Sequence, residues 1–244
     1  MSANGEAPKL RIDLHCHTEA SHDCVTPLDV IPARLIARGT HVQAITDHDE
    51  IWGAQKLKQM VAENEQWTGK LTIIVGEEIS TSEGEIIGLF LKEKIPPGLS
   101  PEDTVKAIKE QGGLVDIPHG FDPLKRHRLR PTARERIADQ IDIIEVFNAR
   151  ISNVKWNEAA RQWAADHTKL MATGSDAHTW PDLGCCCGES DWMGEVLTPD
   201  DLMLALAHIE VNGKWTHPAW AFMMKGVYWV KQKLGRMHHP HSSA

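Results

Sequence analysis

The 244-residue chain contains no apolar run approaching the ~20 residues that a membrane-spanning helix needs. Its opening stretch, Met1 to Pro8, is polar and lacks the apolar segment of a secretory signal. Cysteine is scarce and badly placed for cross-linking: Cys16, Cys24 and the run Cys185–Cys187 make an odd count with three neighbours in a row, a poor disulfide framework. A cytoplasmic, reduced chain is therefore expected. Basic residues are also short, 26 against 34 acidic, for a net charge of −8. That balance argues against a general nucleic-acid coat protein but leaves room for a local basic pocket. Repeats of solenoid length and low-complexity linkers are missing too, so arrays and disordered chains are set aside.

What is present is a globular balance, 41% apolar and 25% charged, enough to build a core. At this length one domain is expected, over residues 9–236, between a loose leader at 1–8 and a frayed tail at 237–244. Short apolar runs alternate with amphipathic stretches. Strands are predicted at Leu10–Leu14, Val42–Thr46, Leu71–Val75, Glu85–Leu91, Leu114–Ile117, Ile141–Val146 and Leu170–Thr173. The fourth runs back from a turn at Gly84. Helices are predicted at Pro27–Arg38, Gly53–Gln66, Pro101–Gln111 and Asn153–His167. The third opens on Ser100-Pro-Glu-Asp, a hydroxyl cap followed by proline and two acids. Such alternation points to an α/β fold with a largely parallel sheet. Seven or so units suit a closed or nearly closed barrel; periodicity alone also admits a doubly wound open sheet.

The fourteen histidines are the anomaly, and their placement carries the information. His15 and His17 follow the first strand, Asp47 and His48 the second, and Glu77 and Glu78 the third. His119 follows Leu114–Ile117, Glu145 lies near the end of Ile141–Val146, and Asp176 and His178 follow Leu170–Thr173. Taken singly, each has an ordinary explanation: a partly exposed pair, a cap, a solvated turn. Taken together, they gather at the carboxyl ends of parallel strands, where barrel active sites are built. In His15-Cys-His17 and Asp176-Ala-His178 the donors are two residues apart and project to one side of an extended chain. Mixed imidazole and carboxylate donors suit Zn²⁺, Mn²⁺ or Fe²⁺, and carboxylates can bridge more than one ion.

The segments DLHCHT (13–18), ITDHDE (45–50), VGEEIS (75–80), PHG (118–120), IIEVFN (143–148) and GSDAH (174–178) resemble, in order and spacing, the polymerase and histidinol phosphatase (PHP) family of metal-dependent phosphoesterases. The resemblance implies a distorted (β/α)7 barrel with two or three divalent metals at its carboxyl face. It implies His15, His17, Glu78 and Asp176 as ligands of a first metal, with Glu78 bridging to a second that His119 also holds. Asp23, His48 and His178 resemble a third site. Asp47 and Glu145 are expected as auxiliary ligands or as groups orienting the imidazoles. Many relatives carry a further histidine where this chain reads Gly84-Glu-Ile-Ile-Gly; either Glu85 substitutes as a carboxylate ligand or that metal is held with fewer protein ligands. Cys185–Cys187 lies outside the family pattern and is expected as buried thiols.

The implied chemistry is hydrolysis of a phosphate ester, with attack by a hydroxide bridging the metals and a proton for the leaving group from His48 or His178. The run Lys125-Arg-His-Arg-Leu-Arg130 follows His119, and within it Arg126 and Arg128, with Arg150, are expected to grip the substrate phosphate. The expected substrate is a small phosphorylated metabolite or nucleotide. Two alternatives stand beside it: a nuclease acting on nucleic-acid ends, and a non-catalytic, metal-stabilised interaction module. The Trp-rich segment 215–234 is expected to pack onto the barrel, with a membrane-surface or partner helix as the other reading. Trp192, Trp215 and Trp220 are candidates for the site rim. Oligomeric state is not legible here.

Overall fold

The computed structural model describes residues 9–213 and residue 215. The expected leader (1–8), the tail (237–244) and most of the Trp-rich segment, Trp220 included, lie outside the described residues. Among the described residues no helix is long and apolar enough to cross a membrane.

Among the described residues nine strands form one sheet. In chain order they are β1 (Leu10–Asp13), β2 (Val42–Ile45), β3 (Thr72–Thr81), β4 (Gly84–Leu89), β5 (Leu114–Ile117), β6 (Ile143–Asn148), β7 (Leu170–Gly174), β8 (Cys186–Ser190) and β9 (Ile209–Gly213). Spatially they run β7-β6-β5-β4-β3-β2-β1-β8-β9. The sheet curls until the ends of β1 and β7 meet. There Leu14 N donates to Thr173 O (2.9 Å), Asp176 N to His15 O (2.9 Å) and His17 N to Ala177 O (3.0 Å). The result is a nearly closed barrel, as expected. The doubly wound alternative is set aside by this seam.

Strict strand–helix alternation fails twice, since no helix lies between β3 and β4 or between β7 and β8. β3 and β4 form an antiparallel hairpin whose register pairs Thr81 with Gly84, and a two-residue link leaves no length for a crossover helix. Elsewhere helices cover the outside: α1 (Ile31–Ala37), α2 (Trp52–Glu63), α3 (Pro101–Glu110), α4 (Pro131–Arg136), α5 (Lys155–Asp166) and α6 (Pro199–Leu206). Ser100 caps α3, its hydroxyl accepting from Asp103 N (3.1 Å).

Alternation along the strands sorts side chains into two cores. Ile12, Leu14, Ala44, Ile74, Ile87, Leu114, Ile143 and Ala172 fill the barrel interior. Ile73, Val75, Ile86, Val115, Ile117, Ile144 and Val146 pack outward against the helices. Followed toward the carboxyl rim, the interior positions change character: Ile74 leads to Gly76 and Glu78, Leu114 to Asp116, Ile143 to Glu145, Ala172 to Gly174, and Ile87 on the reversed strand to Glu85. The apolar floor thus gives way to an acidic rim.

β3 shows the same sorting in one pair. Glu78 points inward, whereas its neighbour Glu77 is buried on the outer side, where Oε2 accepts from Ile95 N (2.9 Å). Burial pushes the Glu77 carboxyl up from 4.5 to about 7. The folded chain therefore holds that proton more tightly than the unfolded chain. The corresponding stability is present below pH 4.5 and is lost as pH rises through about 7. The shift is worth at most roughly 3 kcal/mol. Urea melts at pH 4.5 and pH 7.5 should show the parent losing stability relative to Glu77→Gln as pH rises; parallel pH dependence of the two proteins would overturn this.

Candidate metal centre

The rim brings together all eight residues expected as ligands, and Glu85 with them. Donor atoms lie within 4.8 Å of one another in four overlapping groups: His17, Asp23, His48 and His178; His15, His119 and Asp176; His15, His17 and Glu78; and His48, Glu78 and Glu85. Glu78 is the hub. Its Oε2 is 3.1 Å from His15 Nε2, 3.3 Å from His17 Nε2 and 3.3 Å from His48 Nδ1, and its Oε1 is 2.9 Å from His119 Nε2. Glu85 stands 3.7 Å from both His48 and His119.

Each donor is placed by a specific backbone device. β1 ends at Asp13, and the extended His15-Cys16-His17 run beyond it is held against β7 by the seam hydrogen bonds. Asp13 Oδ1 accepts from the amides of His15 (3.2 Å) and Ser175 (3.0 Å), tying the two ligand-bearing loops together. Burial raises the Asp13 carboxyl to about 6. His119 and Asp176 both have positive φ, 31° and 49°, a costly backbone for residues other than glycine. That strain turns their side chains back over the barrel mouth.

Glu145 holds two ligands at once. Its Oε1 is 3.0 Å from His15 Nδ1, while Oε2 accepts from His119 N and from Asn148 Nδ2 (3.0 Å). With Nδ1 committed to Glu145, His15 presents Nε2 to the cluster, the arrangement that orients metal-binding imidazoles. Room for this comes from Gly174: a Cβ there would lie 1.7 Å from Glu145 Oε1 and 2.6 Å from His15 Cβ. Asp47 is used differently from an imidazole-orienting group. It accepts from Thr18 N (2.6 Å) and Thr18 Oγ1 (2.8 Å), so it fixes the loop after His17.

Sequence reading passed over several contributors. Lys125 Nζ lies 2.5 Å from Asp176 Oδ2, the cation that reaches the cluster from the basic run. Ser21 Oγ sits 3.3 Å from His17 Nδ1 and donates to Asp23 Oδ1 (3.1 Å). Asn148 bridges Glu145 and Asp176. Asn148 closes the IIEVFN segment and Ser21 opens Ser21-His-Asp23, so both were adjacent to flagged residues. Arg150 does enter the site. Its Nη1 is 3.0 Å from Asp176 O and 3.5 Å from Asp176 Oδ1, and it also meets His178 Nδ1. Arg126 and Arg128 do not join the cluster; they line a neighbouring cleft. Trp215 donates to Ile151 O (2.7 Å), one residue past Arg150, whereas Trp192 packs against the interior core beside Leu10, at the opposite end of the barrel from the metal rim.

Charge is concentrated here, most of it buried, with Asp23 and His48 partly exposed. Burial opposes ionisation of Glu78, but the surrounding imidazoles, His15 and His48 foremost, hold its carboxyl well below the usual range. Asp176 is buried as well and is held low by Lys125, His15 and Arg150. Glu85 goes the other way, raised to about 9 by burial and by the charge of Glu78. Two imidazole nitrogens, His15 Nε2 and His17 Nε2, face each other at 3.1 Å. Lone pairs aimed at one point among buried carboxylates are what a divalent cation needs, so the donor set fits such ions.

Comparison with known proteins places this geometry. The PHP domain family model matches residues 13–113, and the PHP-associated model matches residues 154–208. An uncharacterised protein of Methanocaldococcus jannaschii, MJ1587, is 37% identical over 169 residues, 63% of this chain and 93% of that protein. Among solved structures, a two-domain protein containing predicted PHP-like metal-dependent phosphoesterase from Bacteroides vulgatus has TM-score 0.58 at 17% identity, covering 81% of this chain and 62% of that one. The lesion-specific endonuclease PfuEndoQ of Pyrococcus furiosus has TM-score 0.62 at 16% identity, covering 81% of this chain and 56% of that one. At those identities the structural likeness speaks for the fold.

Glu145→Gln keeps the size of the side chain but weakens its hold on His15. It is expected to lower affinity for Mn²⁺ or Zn²⁺ by about 10–100-fold, by calorimetric titration, with circular dichroism unchanged. Parent-like affinity would remove Glu145 from its orienting role.

Proposed function

The chain belongs to the PHP family of metal-dependent phosphoesterases, hydrolases of phosphoester bonds, and within it we propose an enzyme that cleaves the phosphate ester of a small phosphorylated substrate. The observation that carries the reading is the convergence of His15, His17, His48, His119 and His178 with Asp23, Glu78, Glu85 and Asp176 on one rim, with Lys125 and Arg150 at its edge.

In this reading His15, His17, Glu78 and Asp176 would hold one ion, and His119 and Glu85, together with Glu78, would hold a second. Asp23, His48 and His178 would hold a third; Zn²⁺, Mn²⁺ and Fe²⁺ suit the donors. Bound divalent cations supply a water deprotonated near neutral pH and neutralise phosphoryl oxygens in the transition state. The chain's own residues do the rest. Lys125 and Arg150, both against Asp176, add fixed positive charge where a phosphoryl group would dock. Where that third position holds no ion, proton delivery to the leaving group would fall to His48 or His178, which flank Asp23 at 3.6 and 2.9 Å; of the two, His178 is lowered to about 3 by burial, His17 and Arg150. Glu145 and Asn148 position rather than react. The apolar floor below the rim keeps bulk water from entering through the barrel.

A nuclease is the second reading, favoured by the likeness to PfuEndoQ, whose name is that of a lesion-specific endonuclease, and by the basic segment beside the centre. The net charge of −8 weighs against long nucleic-acid tracks.

One assay separates the readings: hydrolysis of phosphomonoesters, phosphodiesters, nucleotides and short oligonucleotides with Mn²⁺, Zn²⁺ or Fe²⁺. Turnover on one class is expected, and His15→Ala and Asp176→Ala should each lower it by roughly a thousandfold or more, the worth of several kcal/mol of charge stabilisation. Full turnover by either variant in saturating Mn²⁺ would overturn the site assignment. Silence across the panel with ions bound would favour a non-catalytic module.

A further inference from the structure

Two cations reach the metal rim from two separate loops. Lys125 comes from the segment after β5, and Arg150 from the segment after β6. Both meet Asp176. Lys125 Nζ lies 2.5 Å from its Oδ2, and Arg150 Nη1 lies 3.0 Å from its carbonyl oxygen and 3.5 Å from Oδ1. Neither loop has regular structure to hold its cation there. Between residues 123 and 128 no residue is buried, and Leu124 is 78% exposed. Arg126 and Arg128 go the other way, into the cleft beside the β3–β4 turn, where a Cβ on Gly84 would lie 2.4 Å from Arg128 O. Lys125 therefore needs an anchor of its own.

Asp122 supplies that anchor. It is fully buried, and both of its carboxylate oxygens are taken by donors from the two loops. Oδ1 accepts from Leu124 N (2.9 Å) and Ser152 Oγ (2.7 Å), and Oδ2 accepts from Ser152 N (2.6 Å). Its main-chain carbonyl accepts from Lys125 N (3.1 Å), and its own N–H donates to His119 O (3.2 Å). One residue thus joins His119, Lys125 and the backbone two residues past Arg150. The near side of Arg150 is held as well, its N–H donating to Asn148 Oδ1 (2.9 Å). Hydrogen bonds to a carboxylate are roughly twice as strong as neutral ones, so the tie between the loops is a firm one.

We propose that Asp122 is a positioning residue, a clasp that sets Lys125 and Arg150 together against Asp176 so that they meet a phosphate as one preformed pair. Charge fixed in advance need not reorganise during the reaction, which is what gives it catalytic worth. The inference rests on the phosphoesterase reading above and adds to it the residue that places its two cations. Asp122 acts through these neighbours and not on the substrate itself.

Asp122→Asn keeps the shape of the side chain but breaks the pattern of donors. Whichever way its amide lies, the NH₂ group faces either Ser152 N or Leu124 N, so one donor meets another. Hydrogen exchange read by peptide mass should therefore quicken in segments 119–130 and 149–154 together, with the strands unchanged. Affinity for inorganic phosphate, measured by calorimetry with Mn²⁺ present, should fall about tenfold. On any ester that is turned over, kcat/KM should fall about a hundredfold, the cost of misplacing a group by about 1 Å. In a chain already carrying Lys125→Met and Arg150→Met, the same substitution should change neither quantity by more than about twofold, because residues that act through one another are not additive. A merely structural role would lower both backgrounds alike. Ser152→Ala removes one donor of the three and should move every readout the same way by a smaller factor; it carries the test if Asp122→Asn does not fold. Exchange that is unchanged or quickened in one loop only, undiminished phosphate binding and turnover, or equal losses in the two backgrounds would each refute the proposal. Coupled exchange of both loops in a parent that neither binds phosphate nor turns over any ester would sink the phosphoesterase reading and leave the clasp standing.

Discussion

Glu78 is buried among four imidazoles, each within 3.3 Å of one of its oxygens, and the rest of the architecture answers to that arrangement. An isolated carboxylate in a protein interior is prohibitively costly, and Asp176, Glu145 and Glu85 are buried on this rim beside Glu78. Partners must therefore arrive from strands far apart in sequence. A curled sheet brings the ends of β1, β2, β3, β5 and β7 to one opening. The β1–β7 seam, the vacant Cβ position at Gly174 and the positive φ of His119 and Asp176 all serve the same convergence. Strain at two ligands is tolerated because the surrounding hydrogen bonds over-determine their positions.

This explains why so much of the site was legible in the sequence. Imidazoles and carboxylates immediately past apolar, β-branched runs are rare, and each such run ends where its strand meets the rim. The same physics set the limits. LTIIV reads as a strand ending at Val75, yet β3 continues to Thr81, because the inward positions of its second half face the polar centre rather than the core. Hydrophobic pattern marks a strand only while its neighbours are apolar. Glu145 was read correctly as lying near a strand end, but β6 runs on to Asn148 through an irregular register for the same reason.

Other elements left no pattern to read. β8 is Cys-Cys-Gly-Glu-Ser, without β-branched residues, and is specified by its antiparallel partners β1 and β9. Cys186 and Cys187 within it are buried thiols, as expected, whereas Cys185 just before it is partly exposed. The six-residue α4 is too short for periodicity to register. The basic run was visible as charge, but its division between the metal rim and the β3–β4 cleft depends on a backbone approach at Gly84 that only the fold displays. Composition announces a cation; geometry decides which anion it meets.

The boundary between rim and floor has its own electrostatic logic. Asp116 stands one interior position above Leu114 on β5, beneath the His15–Glu145 pair, and neither of its oxygens has a hydrogen-bond partner among the described residues. Burial, reinforced by the charge of Glu145, raises its carboxyl well above the ordinary range. It stands between the layer where the imidazoles converge and Ile87, Ile143 and Ala172 below, so the step from Leu114 to Asp116 marks the height at which apolar packing gives way to polar side chains. Among the described residues no donor of the cluster lies below that step on β5, and the barrel's apolar floor therefore bounds the centre from beneath as its donors fix its position.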